Sequence, residues 1–557
     1  MSQDNSNNTA QSTVTSPISM LYHWESEHPD MLYMTQPVNG EYIEFTWKEA
    51  ITQARKVAAA LRASNYPKGS RIAILSKNCA HWIIADMGIA MAGHVSVPIF
   101  STAGKDTIHY VLEHAECQMI FVGKLDDPKA SISYLPDNVK QVAFPYEGAD
   151  VPISWEEFTN VDPIADSPVP DMDDVFSIIY TSGSTGQPKG VVHTYRTLSW
   201  AASNSIHVLG VSTEDRVMSY LPLAHITERA LIQLSGYYSG IKLYFVESLD
   251  TFTRDVKNCD PTLFVSVPRL WTKFQMGILS KVPQKKLNFL LALPIIGKKV
   301  ASKIRKQLGL DSARHYASGS APLAPATIKW FGKIGIDICE AWGMTENAAY
   351  GTSCIPFREE KVGSIGKAYD GVDMRIAEDG EIQLKAPCNM IGYYKDQEKT
   401  SDVFTNDGYL RTGDKGVVDS DGYYRITGRL KDIFKTAKGK YVTPAPIEAK
   451  IMENSNVEQV CVTGTNLAQP IGLLVLSEDA KKESKADNEA SLLDTLNSIN
   501  QTLESHQRLD RLVVFNEEWS IDNDLLTPTL KVKRHSIEEK FADIIAHAHS
   551  DKIVWTN

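Results

Sequence analysis

From about residue 71 the chain alternates short β-branched runs with longer helical segments, and that rhythm narrows the folds open to it more than any other feature. RIAIL (71–75) reads as a strand, CAHWIIADMGIAMAG (79–93) as a helix closed by Gly93, and VSVPIF (95–100) as a second strand. Helical DTIHYVLEHAE (106–116) and strand-like QMIFVG (118–123) follow. Parallel neighbours in a sheet need a crossover long enough for a helix, so the pattern predicts an α/β domain of mixed and parallel sheets with flanking helices. The theme returns at VFSIIY (175–180), IKLYFV (241–246) and TLFVSV (262–267).

Beyond about residue 370 the texture changes. VDMRIAEDGEIQLKA (372–386) reads as a hairpin around Asp379-Gly380, and DSDGYYRITG (419–428) as another around Asp421-Gly422. After Arg429 the chain mixes strands (QVCVTG, GLLVLS, RLVVF) with helices over a length that suits a small α+β domain. The expected organisation is a disordered tail over 1–17, a large N-terminal domain over 18–429 and a small mobile C-terminal domain over 430–557.

Composition excludes several partners. A formal net charge of −11 argues against nucleic acid, whose phosphates want a basic surface. Seven scattered cysteines, with no CxxC pair and no His/Cys cluster at ligand spacing, predict a reduced cytoplasmic protein without disulfides or structural zinc. The start, MSQDNSNNTAQSTVTSP, has neither the basic nor the apolar region of a signal peptide. No apolar run approaches the ~20 residues that span a bilayer. One block, KKLNFLLALPIIGKK (285–299), is apolar with two lysines at each end. It reads either as a surface helix or loop with one buried face or as a peripheral contact with anionic lipid.

The sharpest local signal is YTSGSTGQPKG (180–190), directly after the apolar run VFSIIY. Thr181, Ser182, Gly183, Ser184, Thr185 and Gly186 are small or hydroxyl-bearing. Their backbone can approach polyphosphate closely and wrap it with N–H and O–H groups, while Lys189 adds a cation. The GK[ST] ending of a Walker A loop is missing. A bare Ser/Gly turn would explain such a loop in isolation.

The order TSGSTGQPKG resembles the phosphate-loop signature of the adenylate-forming superfamily, which includes acyl-CoA synthetases, firefly luciferase and peptide-synthetase adenylation domains. Further motifs follow in that family's order. EAWGMTE (340–346) resembles (Y/F)GxTE, YLRTGD (409–414) resembles (Y/W)xxTGD, and GRLKD (428–432) resembles the domain-junction motif. LTPTLKVKR (526–534) resembles the C-terminal motif that carries the mobile lysine, with Leu530 where a glycine is usual. The resemblance runs from about residue 40 to 540. SYLPLAHITER, FVESLDTF, VPRLWTKF and KTAKGKYVTPAPIE look closest to the long-chain fatty acid and bubblegum-type branches. The segment between Trp271 and Ser318 is shorter than in typical long-chain members, and Ser318-Gly319-Ser320 replaces the usual GGAPL start.

The resemblance implies an ATP-dependent acid–CoA ligase that turns a medium- to long-chain fatty acid into its acyl-adenylate and then its CoA thioester. Trp342 would pack on adenine with Gly343 beside it in the ATP site, Thr345 would contact phosphate or substrate, and Asp414 and Arg429 would hold the ribose. Glu346, with Thr185, would hold Mg²⁺. Lys531 is the implied catalytic lysine, with Lys533 the alternative if the register slips, and Lys189 serves the phosphates. Lys431 would be the hinge, and Lys438, Gly439 and Lys440 would meet CoA. His225 and Gly319 would border the acyl pocket, His225 as a positioning residue. Other readings stay open: an acyl carrier protein as acceptor, β-lactone closure, or an ATP-binding sensor without catalysis.

Overall fold

The computed structural model describes residues 14–181, 187–527, 530–547 and 551–556. The first 13 residues of the expected tail lie outside the described residues. At its far end Pro17 opens a helix, Pro17–Glu27, with the Ser16 side chain accepting from the Ile18 N–H at its start.

The strand–helix rhythm builds a seven-stranded sheet. In it Arg71–Leu75, Val95–Ile99, Cys117–Val122, Lys140–Ala143 and Val175–Thr181 run parallel. Lys189–Thr194 and Gly392–Tyr393 close one edge antiparallel. The helix Ala80–Met91 is buried on every side, which explains a segment that is apolar all round and lacks an amphipathic stripe. It packs against Trp47–Ala63, which a Thr46/Glu49 capping box opens.

A second, nine-stranded sheet centres on the parallel strands Lys242–Phe245, Arg216–Ser219, Leu263–Ser266, His315–Ser318 and Ile338–Trp342. Its far edge is a hairpin, Leu32–Val38 and Glu41–Thr46, turned at Asn39-Gly40, whose φ angles of 51° and 82° are the left-handed pair such a turn needs. The hairpins expected around Asp379-Gly380 and Asp421-Gly422 form a four-stranded antiparallel sheet of Asp373–Ile376, Glu381–Lys385, Leu410–Val418 and Tyr424–Arg429.

After a single 3₁₀ turn, Leu430–Asp432, comes a smaller body. Its four-stranded sheet holds Val457–Thr463, Ile471–Leu476, Leu512–Phe515 and Ile553–Trp555, with apolar clusters on both faces. An Arg269–Glu458 ion pair ties this body to the larger one. All seven cysteines are buried and unpaired. Among the described residues no helix is long and apolar enough to cross a membrane.

Between the two large sheets lies a buried polar knot. The Arg229 guanidinium, fully buried, pairs with Asp86 at 2.8 Å, Gln233 donates to the other Asp86 oxygen at 2.7 Å, and its amide also donates to the Tyr237 hydroxyl at 2.9 Å. Arg229 also lies over Trp82 and Phe176. The last residue of SYLPLAHITER (219–229), it opens a π-helical segment, Arg229–Leu234. Removing one partner of a buried pair strands the other charge, so Asp86→Ala is expected to cost about 3–5 kcal/mol. A urea titration checks this; a shift below about 1 kcal/mol would mean that Arg229 finds water or another acceptor.

Candidate active site

Asp414 is the focus of the site. It lies on the strand Leu410–Val418, where its register partner on Tyr424–Arg429 is Arg429. Antiparallel pairing therefore sets the two side by side, and Arg429 Nε meets Asp414 Oδ1 at 2.9 Å. The other carboxylate oxygen accepts from Trp342 Nε1, also at 2.9 Å. The carboxyl is almost fully buried while Arg429 stays largely exposed. Burial pushes Asp414 above the usual carboxylate range, and Arg429, the Trp342 N–H and Lys531 offset part of that push.

Lys531 comes from the smaller body. Its turn is tight: the Thr527 N–H donates to the Lys531 carbonyl at 2.8 Å, and the Lys531 N–H donates to Thr527 Oγ1 at 3.0 Å. Leu530 takes φ 60°, the left-handed region that favours glycine and costs a branched side chain. That conformation is a physical reason for the glycine usual at this position. Lys531 still reaches solvent in the cleft, yet protein surrounds most of the side chain. Desolvation pushes its ammonium below the usual value, Arg429 adds to this, and Asp414 opposes it. Lys533, the alternative, points elsewhere and pairs with Asp524.

His225 joins from the SYLPLAHITER segment (219–229) as the N-cap of a short helix, Ile226–Glu228, its Nδ1 accepting from the Thr227 N–H at 3.2 Å. An accepting Nδ1 leaves the ring proton on Nε2. Burial takes the imidazole down to about 4, with Lys531 adding to the effect, so the ring is neutral near pH 7 and poorly suited to act as a base. The loop itself is stapled by Asn78. The Asn78 amide donates to the Leu221 carbonyl at 2.7 Å and to Ser219 Oγ at 2.9 Å, and its carbonyl accepts from the Leu223 N–H at 3.0 Å.

Across the first sheet, Thr181 and Lys189 are register partners, so the sheet holds both ends of the glycine-rich loop. Ser182, Gly183, Ser184, Thr185 and Gly186 lie outside the described residues. Lys189 Nζ sits 5.0 Å from the centre of the Tyr393 ring, and the Tyr393 hydroxyl donates to Glu346 Oε1 at 2.9 Å. Desolvation lowers the Lys189 ammonium, Lys431 and Lys399 lower it further, and Glu346 and Asp396 oppose them. The hinge candidate Lys431 therefore faces the phosphate loop's lysine. Thr345 and Glu346 form a 3₁₀ turn, Thr345–Asn347, whose Thr345 carbonyl accepts from His193 Nε2 at 2.7 Å. Gly343 has no room for a side chain, because a Cβ there would stand 2.5 Å from the Ala349 carbonyl carbon.

Gly319 directly follows His315–Ser318, beside the strand that ends in Trp342. Lys438, Gly439 and Lys440 sit apart, on the exposed tip of the two-stranded ladder of Phe434–Lys435 and Tyr441–Val442. The structure thus brings together Trp342, Asp414, Arg429, Lys531 and His225, places Lys189 and Glu346 around Tyr393 with Lys431 acting on Lys189, and leaves the 438–440 tip exposed. Tyr393 and Asn78 carry no motif of their own; strand register and loop packing bring them in.

Among the described residues no group of three or more His, Cys, Asp or Glu could cage a metal ion. Glu346 still suits Mg²⁺, which takes one or two protein carboxylates and completes its shell with phosphate oxygens and water. Its carboxylate is partly exposed and oriented by Tyr393.

An AMP-binding enzyme family model matches residues 21–394, and an AMP-binding enzyme C-terminal domain model matches 431–552. The chain belongs to the AMP-binding enzymes. It is 28% identical over 580 residues to the long-chain-fatty-acid–CoA ligase FadD15 of Mycobacterium bovis, covering 94% of this chain and 96% of that one. It is 27% identical to the long-chain-fatty-acid–CoA ligase ACSBG2 of Gallus gallus, covering 94% of this chain and 80% of that one. The adenylation domain of a carboxylate reductase from Mycobacterium chelonae shares the fold, with a TM-score of 0.81 at 20% identity over 96% of this chain and 91% of that one.

Trp342→Phe keeps the aromatic face but removes the N–H, leaving a buried Asp414 oxygen without its donor. Hydrogen bonds to charged groups are worth about 1.5–3 kcal/mol, so KM for ATP is expected to rise roughly tenfold or more. Initial rates over an ATP series check this; an unchanged KM would mean that the indole N–H does not orient the carboxylate.

Proposed function

We propose that this enzyme is an ATP-dependent acid–CoA ligase acting on medium- to long-chain fatty acids. The observation that carries the reading is the convergence of Lys531, from the smaller body, with Asp414, Arg429 and His225 of the larger one. A desolvated cation beside a buried carboxylate–arginine clamp is what two approaching anions need. The relatives named as long-chain-fatty-acid–CoA ligases support a fatty acid over a small or aromatic one. An apolar pocket discriminates by only about 1–3 kcal/mol per methylene, so a range of chain lengths is expected.

In the first half-reaction the acid's carboxylate oxygen attacks the α-phosphorus of ATP. The bond to the bridging oxygen breaks, and pyrophosphate leaves with the electron pair. Lys531 lies between the carboxylate and the α-phosphate oxygens and offsets their repulsion. Asp414 and Arg429 fix the ribose, Trp342 orients Asp414, and Lys189 with the 181–186 loop holds the outer phosphates. Glu346 and Thr185 would hold Mg²⁺, which would supply charge neutralisation on the phosphates. Neutral His225 bounds the acyl site with Gly319 and can donate a hydrogen bond without taking a proton.

In the second half-reaction the CoA sulfur attacks the acyl carbon, its proton is lost, and AMP leaves with the phosphate oxygen. Lys531 has no task there. The short 430–432 turn, with Lys431 at its centre, is built to absorb a rotation of the smaller body that withdraws it. The same rotation would bring the Lys438–Gly439–Lys440 tip towards the CoA phosphates. Acids of this length partition into bilayers, so we place the enzyme in the cytoplasm, within reach of a membrane face.

The experiment is pyrophosphate and AMP release from Mg-ATP across a fatty-acid length series, with and without CoA. Turnover that needs both acid and CoA, and peaks at one range of lengths, is the expected result. Acid-dependent pyrophosphate without CoA-dependent turnover would point to a carrier-protein acceptor or to lactone closure. No release with any acid would leave an ATP-binding sensor.

A further inference from the structure

The block at 285–299 is neither one helix nor a loop. It is a helical hairpin of Gln284–Ala292 and Pro294–Leu308, broken at Leu293. Its fold is tight: the Gly297 N–H donates to the Leu293 carbonyl at 2.6 Å, and a Cβ on Gly297 would stand 2.4 Å from the Leu291 carbonyl oxygen. One face is anchored. Leu287, Ala301 and Ile304 join the apolar cluster of Trp271, Trp330 and Phe331, and Trp330 Nε1 donates to Gln284 at 2.7 Å.

The other face is bare. Phe289 is 66% exposed, Ile295 74% and Ile296 48%, gathered at the bend of one hairpin. The charge around them has one sign. Residues 284–310 hold six lysines, one arginine and no acidic residue, in a chain whose net charge is −11. Lys285, Lys286, Lys298, Lys299 and Lys303 form no ion pair among the described residues, and the four that flank the bend are exposed. Burying three large apolar side chains in protein would not call for such a ring of cations. An interface of hydrocarbon lined by phosphates would use both at once.

We infer that this hairpin is a membrane-docking element, which inserts Phe289, Ile295 and Ile296 below the headgroups of an anionic phospholipid bilayer and sets its flanking lysines against the lipid phosphates. Helices of 9 and 15 residues are too short to span, so the hairpin lies in the interface. Its position gives the docking a use. The preceding helix, Pro268–Leu279, starts where Leu263–Ser266 ends, and Ser266 is the register partner of Ser318, next to Gly319. One helix thus links the docking surface to the wall assigned to the acyl pocket. This last step rests on the ligase reading; the docking does not.

Co-sedimentation with phosphatidylcholine vesicles, with and without an anionic phospholipid, tests the inference. Compared with the unaltered protein are Phe289→Ser/Ile295→Ser and a variant with Lys285, Lys286, Lys298 and Lys299 changed to Gln. Each of these lysines near an anionic surface is worth about a fivefold change at low salt, so the lysine variant is expected to bind at least about tenfold more weakly. The apolar variant is expected to lose binding too, while both keep normal turnover of a detergent-dispersed acid. The inference is overturned if the unaltered protein stays in the supernatant, as it would if the patch served a protein partner. Equal binding to neutral vesicles, or variants that sediment like the parent, overturn it as well. Sedimentation as expected with no acid-dependent turnover in any protein would sustain the docking and remove the ligase reading.

Discussion

The site depends on one buried carboxylate being kept charged and aimed. Asp414 is almost wholly out of water, and burial alone would favour its neutral form. Two donors and one charge, from three separate parts of the chain, offset that: Arg429 from the next strand, Trp342 from the second sheet, and the field of Lys531 from the smaller body. Each depends on a different piece of the architecture. Register pairing places Arg429, the end of a parallel strand places Trp342, and the docking of two bodies places Lys531. A carboxylate that needs all three is held charged and aimed only when strand, second sheet and both bodies are in place.

The cations around it are held under the opposite pressure. Lys531 and Lys189 are both pushed towards neutrality by desolvation, and each faces a like charge, Arg429 for the one and Lys431 for the other. Such repulsion is unfavourable at rest and is relieved when a polyanion arrives, so it favours ATP over a neutral ligand. On the proposed rotation, the same repulsion would favour withdrawal of the smaller body once pyrophosphate has gone. A single short turn at 430–432 and an exposed Arg269–Glu458 pair are light restraints on that movement, since exposed ion pairs contribute only about 0.2–1 kcal/mol.

Much of this was legible in the sequence because it is local. The strand runs, the Asp-Gly hairpins and the adjacency of each motif to a strand end follow from spacing and turn chemistry. What was not legible depends on contacts between distant segments. Tyr393 looks like any aromatic in GYYKD, yet edge pairing against Lys189–Thr194 puts it between Glu346 and Lys189. Asn78 follows a strand with no motif at all, and its role as a staple of the His225 loop appears only when two sheets meet. Trp342 carried a local expectation, a face for adenine; the bond from its edge to Asp414 is tertiary. The hairpin turned at Asn39-Gly40 lies before the strand–helix rhythm begins, and the strand it joins, Lys242–Phe245, comes some 200 residues later. Leu530 shows the reverse case, a departure from the family pattern whose cost is visible only as a backbone angle.

The central claim is that Lys531 serves adenylation and must withdraw for thioester formation. The two half-reactions of a Lys531→Ala variant separate these roles directly: acid-dependent exchange of labelled pyrophosphate into ATP, and CoA thioester formation from acyl-adenylate supplied ready-made. The account predicts that exchange falls by at least about a hundredfold, the scale of losing one preorganised electrostatic contact, while thioester formation stays within a fewfold of the parent. Equal loss of both would contradict it, because Lys531 would then hold the fold or the nucleotide and not the first transition state.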